Sequence, residues 1–323
     1  MLTFGYFTDT HFRFETPEQR TDNFLQSMLL KLTEIGDIFK KEKVDYVLFG
    51  GDLYDSDSVA KTVITSLQSI LRSWQLPIIG VVGSHDYIGY QMRSLKSTAL
   101  GITESAGLIE LIGGAEHERD KLLEKNNTKV RVVGFPHTHT FTDSKENMYC
   151  GDTDIYTIQI VHADLNDKPV QWPHILIEDN LTDADLCLSG HYHPGWEKPI
   201  VKQKCTYKGH CTFVNPGSIA RMKNTGVRRI PRVCIIKVEE KNLVDLKYIT
   251  LKSALEHPFL PKEKKEDEMP MLDVQKFLDL LGNQEVSSID IKMQLPKVAK
   301  EYGFDEDIVE VAFDLLDGKE EEI

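Results

Sequence analysis

Acidic and imidazole side chains recur in this chain directly after short apolar runs. Asp9-Thr10-His11 follows residues 2–8, Gly51-Asp52 follows 44–49, and Gly83-Ser84-His85-Asp86 follows 77–82. His162 closes the run 157–161, and Gly190-His191-Tyr192-His193 closes 185–189. A single Asp-x-His or His-x-His is a common accident, but here five clusters share one layout. Mixed carboxylate and imidazole donors suit Mn, Fe or Zn; Mg and Ca prefer oxygen alone, and structural zinc sites use thiolates. No cysteine lies in the clusters. Two such ions about 3.5–4 Å apart polarise a phosphoryl oxygen and lower the pKa of a shared water, so that hydroxide attacks in line at neutral pH. One carboxylate must bridge the ions. A histidine outside the ligand set can then protonate the leaving oxygen, for which an unperturbed pKa of about 6.5 is suited.

The elements that must carry these clusters are a parallel sheet and its crossover helices. Phe24, Met28, Leu29, Leu32, Ile35 and Phe39 recur every three or four residues and predict a helix over about 18–41; residues 58–74 read as a second. With the runs at 2–8, 44–49 and 77–82 as strands, the order βαβαβ places polar residues at the carboxyl edge of a parallel sheet. Further strands are expected at 130–135, 157–161, 185–189, 212–215 and 232–239. Gly51, Gly83 and Gly190 are expected to let the backbone turn sharply at strand ends, where a positive φ excludes most side chains.

The 323 residues, 41% of them apolar, can bury one large core with room for a small appendage. The longest apolar runs, 78–82 and 233–238, are strand-sized and far below the roughly 20 residues of a membrane span. Met1-Leu2-Thr3-Phe4 has neither a basic region nor a small-residue cleavage site, and the chain reads as cytoplasmic. The cysteines Cys150, Cys187, Cys205, Cys211 and Cys234 are odd in number and scattered, which favours reduced thiols. A formal charge of −13 argues against a broad basic face that grips duplex nucleic acid unaided. It does not exclude nucleic acid, because bound cations reverse the field where a phosphate must sit. Three parts are expected: a main domain over 1–250, a charged linker over 251–270 that ends at Pro270, and an amphipathic helical segment over 271–323.

The clusters resemble the signature of the calcineurin-like metallophosphoesterase superfamily, D-x-H, G-D-x-x-D, G-N-H-D or E, H and G-H-x-H, over residues 9–193. The resemblance implies an α/β fold, a four-layer αββα sandwich with metals at the carboxyl ends of the strands. It implies a hydrolase of phosphate esters that uses two divalent ions, Mn ahead of Fe or Zn. By that likeness Asp9, His11, Asp52 and His193 would hold one ion and Asp52, His162 and His191 the other, with Asp52 as the bridge. His85 would be the catalytic histidine that binds no metal, and Asp86 its orienting partner. Ser84 stands where the family has a ligating asparagine, so the second ion would be held more weakly or through a water.

Within the superfamily, Gly51-Asp52-Leu53-Tyr54-Asp55 is similar to the G-D-L-F-D of SbcD-type DNA-repair nuclease subunits. Val214-Asn215-Pro216-Gly217-Ser218, with Arg221 downstream, is similar to their P-G-S loop. This implies a Mn-dependent DNA exonuclease or endonuclease of an SbcCD-type recombination and repair complex, partnered by an SMC-like SbcC-type ATPase that the C-terminal helices would dock, with homodimerisation also implied. Arg221, Ser218 and Arg13 would then contact substrate phosphate; the plainer reading pairs the arginines with surface acids. Two alternatives stay open: a stand-alone phosphodiesterase or phosphatase for nucleotides or small esters, and a non-catalytic binding subunit with a weakened second site. Asp55 either supports a ligand or caps the segment after it. His137 and His139 mimic a ligand pair but lie outside the family pattern, and are read as loop residues beside the cleft. Cys205, His210 and Cys211 lack zinc-ligand spacing and are read as a reduced hairpin.

Overall fold

The computed structural model describes residues 1–259 except 90, 115–116, 139–147, 152–153, 171–173, 180–181, 207–208, 223–228 and 255–257. They fall in the first of two units, Met1–Leu260; the second, Pro261–Ile323, lies outside the described residues, and with it the expected helical segment and most of the linker.

β1 (Leu2–Phe7) is buried on both faces, which is why its sequence is continuously apolar rather than alternating. α1 (Phe24–Lys41) follows, then β2 (Tyr46–Phe49), α2 (Lys61–Trp74), β3 (Ile78–Gly80), α3 (Ala99–Ser105) and β4 (Glu110–Leu111). The chain then builds β5 (Asp120–Lys125), β6 (Thr128–Phe135), β7 (Tyr156–Ala163), the short pair β8 (Leu165–Asn166) and β9 (Ile175–Leu176), β10 (Leu186–His191), β11 (Ile200–Gln203) and β12 (His210–Val214). β13 (Arg232–Glu239) and β14 (Asn242–Thr250) return to the first sheet. The first sheet runs β14-β13-β1-β2-β3-β4 and the second β11-β12-β10-β7-β6-β5. β1, β2, β3 and β4 pair in parallel, as do β6, β7, β10 and β12, so both sheets present carboxyl ends side by side.

Between the sheets lies a core that includes Phe4, Tyr6, Leu48, Val132, Ile158, Ile160, Leu188 and Ile236, all fully buried. Each large apolar side chain there contributes about 1.5–3 kcal/mol. A second core joins the outer face of the first sheet to the helices. α1 places Phe24, Met28, Leu32, Ile35 and Phe39 inward, as its periodicity predicts. α1 begins at Phe24 rather than near 18, because the Asn23 side chain accepts from Gln26 N and caps it there, while Arg20 bridges to Phe259 and Thr21 N donates to Pro258 O. On the outer face of the second sheet, Met148, Ile175, Ile177, Cys187, Trp196 and Phe213 form a third core. The cover there contains no α-helix among the described residues; short strands and 3-10 turns stand in its place. The two-sheet sandwich is the expected one, with that fourth layer irregular. No helix among the described residues is long and apolar enough to cross a membrane.

Candidate metal centre

The five clusters converge at the carboxyl ends of β1, β2, β3, β7 and β10. Donor atoms of Asp9, His11, Asp52 and His193 lie within 4.8 Å of one another, and so do those of Asp52, His162 and His191. Asp52 belongs to both groups. His11 Nε2 and His193 Nε2 are 2.9 Å apart, His191 Nδ1 and His162 Nε2 3.2 Å, and His162 Nε2 and Asp52 Oδ2 3.2 Å. Donors about 2.1 Å from a shared ion sit roughly 3.0–3.4 Å apart at right or tetrahedral angles. The donor set and its spacing therefore fit two divalent ions that share Asp52.

Backbone contacts assemble this arrangement. The turn after β1 is laced to the turn after β2: Asp9 N donates to Gly51 O, Thr10 N and His11 N to Asp52 O, and Phe12 N to Leu53 O, at 2.9–3.1 Å. On its other side the β1 turn meets the 215–220 loop, where Ala220 N donates to Asp9 O at 3.2 Å. Asp9, His11, Asp52 and His191 all hold positive φ, at 52°, 40°, 55° and 76°. Each such non-glycine residue costs on the order of 1–3 kcal/mol, which the surrounding hydrogen bonds must offset. The expected glycine role is corrected in part. Gly51 has φ +99°, but Gly83 and Gly190 do not need positive φ; a Cβ at Gly83 would strike Asp52, and one at Gly190 would strike Gly50 O. Those two are glycine because the ligand turns pack against their backbone.

Asp9, His11, Asp52 and His162 are fully buried or nearly so and form the floor, while His193, with 39% of its side chain exposed, stands at the rim. Buried carboxylates need donors. Asp9 accepts from Thr8 Oγ1 at 2.6 Å and from His191 N at 3.1 Å; Asp52 accepts from His85 N at 2.9 Å and from Ser84 Oγ at 3.3 Å. Burial alone would raise the Asp52 carboxyl, but the His162, His85 and His11 imidazoles outweigh it and hold it well below the usual range. Burial would depress His162; the Asp52 carboxylate beside it overrides this and raises the imidazole to about 9. His191 is pushed well down by burial and by its neighbours His162 and His137.

His85 stands edge-on to His11, ring centroids 4.7 Å apart. Its Nδ1 is held by the Asp55 backbone carbonyl at 2.8 Å, not by Asp86, which corrects the expected orienting partner. The Asp86 carboxylate is fully buried and accepts from Gly83 N, Asp52 N and Leu53 N at 2.8, 2.9 and 3.1 Å, tying the β2 and β3 turns together. Burial and the charge of Asp52 push it up to about 7 against the pull of those N–H groups. Asp55 Oδ1 lies 3.5 Å from His11 Nδ1, while Arg13 pairs with its Oδ2 at 2.7 Å.

Two expected substrate contacts take other roles. Ser218 is fully buried; its hydroxyl donates to Asp9 O at 3.0 Å and accepts from Ala220 N and Arg221 N. Arg221 donates to Arg229 O at 3.0 Å and stacks on Phe259. Arg13 remains beside the site. Sequence reasoning missed Arg229, which donates to Pro216 O, Ser218 O and His193 O at 2.8–3.1 Å and fixes the loop that carries His193; no local pattern marks it. It also missed Tyr87 and the placement of His137 beside His162 and His191, with centroids 6.0 and 5.6 Å away. His139 lies outside the described residues. Cys205, His210 and Cys211 form no donor group among the described residues.

With the geometry in place, the comparison that decides the family is a match of the calcineurin-like phosphoesterase superfamily domain over residues 2–241. The chain belongs to the calcineurin-like phosphoesterase superfamily. It is a phosphate-ester hydrolase by family, a family that uses two metal ions, and its Asp/His groups are of a kind that can hold them. Among curated proteins it is 24% identical over 311 residues to the double-strand break repair protein MRE11 of Encephalitozoon cuniculi (strain GB-M1), covering 80% of this chain and 51% of that protein. The chain thus spans about half the length of that relative. Among solved structures, a dimetal phosphatase from Danio rerio aligns with a TM-score of 0.47 at 10% identity, over 77% of this chain and 99% of that one.

Proposed function

We propose that this phosphoesterase is a Mn-dependent DNA nuclease of the SbcD type, an exonuclease or endonuclease. The observation that carries it is the pair of donor groups sharing Asp52, with His85 beside them and held by a different contact. Support for DNA as substrate comes from likeness to a double-strand break repair protein over most of the chain. Asp9, His11, Asp52 and His193 would hold one ion, and Asp52, His162 and His191 the other. When bound, the ions polarise the phosphoryl oxygen and lower the pKa of the attacking water. The rest falls to the chain. A carbonyl only accepts, so the proton on Nδ1 of His85 points to Asp55 O, and Nε2 is left to carry a second proton to the leaving oxygen. Buried Asp9 and Asp52 keep their donors fixed, so little reorganisation is needed as charge develops. Arg13 holds Asp55, and through it both His11 and the His85 ring.

The segment 271–323 is proposed as the docking element for an SbcC-type ATPase, with two copies of the chain in the assembly and a cytoplasmic location. The second reading is a stand-alone phosphodiesterase for nucleotides or small esters, favoured by the formal charge of −13. The test is Mn-dependent cleavage of end-labelled single- and double-stranded DNA beside a chromogenic phosphodiester, wild type against His85→Ala. Loss of DNA cleavage in the variant supports the nuclease; hydrolysis of the small ester alone replaces it with the second reading.

A further inference from the structure

Behind the first donor group, cationic side chains converge on the carbonyls of one loop. Lys31 Nζ donates to Ile219 O at 2.7 Å, Arg20 Nη1 to Ala220 O and Arg221 O at 3.0 and 2.9 Å, and Arg229 to Pro216 O and Ser218 O at 2.9 and 2.8 Å. Arg221 closes the set by donating to Arg229 O at 3.0 Å. Asp22 takes two bonds from Arg20, at 2.9 and 2.7 Å, and so answers that one guanidinium. Like charges this close repel: burial and the charge of Arg20 push Arg221 down to about 10.

An aromatic ring at the end of the unit offsets that repulsion. The Arg20 guanidinium lies 5.1 Å from the Phe24 centroid and 5.7 Å from that of Phe259, and the Arg221 guanidinium lies 5.9 Å from the same Phe259 ring. The π-system of Phe259 thus attracts both cations at once. Its backbone is fixed for the task. Phe259 forms an antiparallel bridge with Arg20, and the Pro258 carbonyl accepts from Thr21 N at 2.8 Å and Thr21 Oγ1 at 3.2 Å. Arg221 has φ 51°, a left-handed conformation that its surroundings must hold.

The loop these arginines grip carries the backs of two ligands. Ser218 N and Arg229 Nη2 both donate to His193 O, at 3.0 and 3.1 Å, while Ser218 Oγ and Ala220 N donate to Asp9 O at 3.0 and 3.2 Å. Asp52 and His162 are held elsewhere, by Asp86 and by Gly50 O. We infer that Phe259 is a positioning residue for the first metal ion, acting through Arg20 and Arg221 on the loop that holds Asp9 and His193. The inference rests on the two-ion reading above and adds a control point far from the motifs, one residue before the unit ends at Leu260. Whatever draws Phe259 off the two arginines loosens Asp9 and His193 together.

The test uses the full chain and two readouts, hydrogen exchange of single amides without metal and Mn binding by titration calorimetry. Phe259→Ala is expected to speed exchange at Ser218 and Ala220 by about tenfold and to leave Thr10 and His11, whose amides bond Asp52 O, unchanged. The same variant weakens the first ion by about tenfold and keeps the second within about twofold. Phe259→Tyr, which retains the ring, restores both readouts. Phe259→Leu keeps the apolar bulk without the π face and should stay close to Phe259→Ala; it decides alone if the alanine variant folds poorly. Wild-type behaviour of Phe259→Leu overturns the role of the ring. Faster exchange at 218–220 with an equally tight first ion also overturns the inference, and leaves the two-ion centre standing. Wild type that takes up no Mn overturns both.

Discussion

The two halves of the centre are built differently. The Asp9, His11, Asp52 and His193 half takes donors from turns of both sheets, which are laced by a ladder of backbone hydrogen bonds and secured by Arg229 on the His193 loop. The His162 and His191 half draws on neighbouring strand ends of one sheet, and its family asparagine is absent. The first half is specified by backbone geometry that three strained residues, Asp9, His11 and Asp52, cannot leave cheaply. The second is specified by side chains that strand register happens to bring together. The lesson is that one site can draw one half from laced backbone turns and the other from strand register.

The sharpest way to break this comparison is to remove what the halves share. Asp52→Asn is expected to lose both ions and to lower Mn-dependent phosphodiester hydrolysis by more than about 10³-fold. Calorimetry that still finds one ion at wild-type affinity would show the halves to be independent. His85→Ala should fall next, by about 10²–10⁴-fold in turnover with both ions retained. Loss of an ion in that variant would make His85 a ligand and redraw the first half.

How far the site could be foreseen follows from the same distinction. The motif residues sit at or just past the ends of strands whose apolar runs are unmistakable, so Asp9, His11, Asp52, His162, His191 and His193 could be brought together from sequence, and β13 falls on the residues expected for it. Edge strands were missed. β5 reads Asp-Lys-Leu-Leu-Glu-Lys and β14 mixes Asp245 and Lys247 with apolar residues, so neither shows a strand-length hydrophobic run. The start of α1 was misread because apolar spacing does not reveal a cap, which depends on the Asn23 side chain. Sequence gives the residue types of Ser218 and Arg221 but not the direction of their side chains, which bind neighbouring backbone. Asp86 was assigned to the neighbouring histidine, yet an unpaired N–H buried at three positions is costlier than a loosely held ring, and the carboxylate serves those first.

That clamp supplies the third prediction. Asp86→Asn leaves one oxygen to accept from three buried N–H groups, a cost of about 1–3 kcal/mol. Thermal melting should show a fall of several degrees. Because Asp86 holds the backbone of Asp52, both ions should weaken together; weakening of the second alone would mean that the clamp serves β3 and not the bridge.

Ser84→Asn makes the smallest change and separates the halves most cleanly. Its side chain extends the donor past the Asp52 carboxylate that the serine hydroxyl now contacts at 3.3 Å. An added oxygen donor should tighten the second ion by about tenfold, or about 1.4 kcal/mol, and leave the first unchanged. Calorimetric affinities for Mn read this directly. No change would mean that the second half already has its full ligand set and has no room for another. Equal tightening of both ions would mean that Ser84 acts through the shared carboxylate, and the division into a backbone-built half and a register-built half would have to be abandoned.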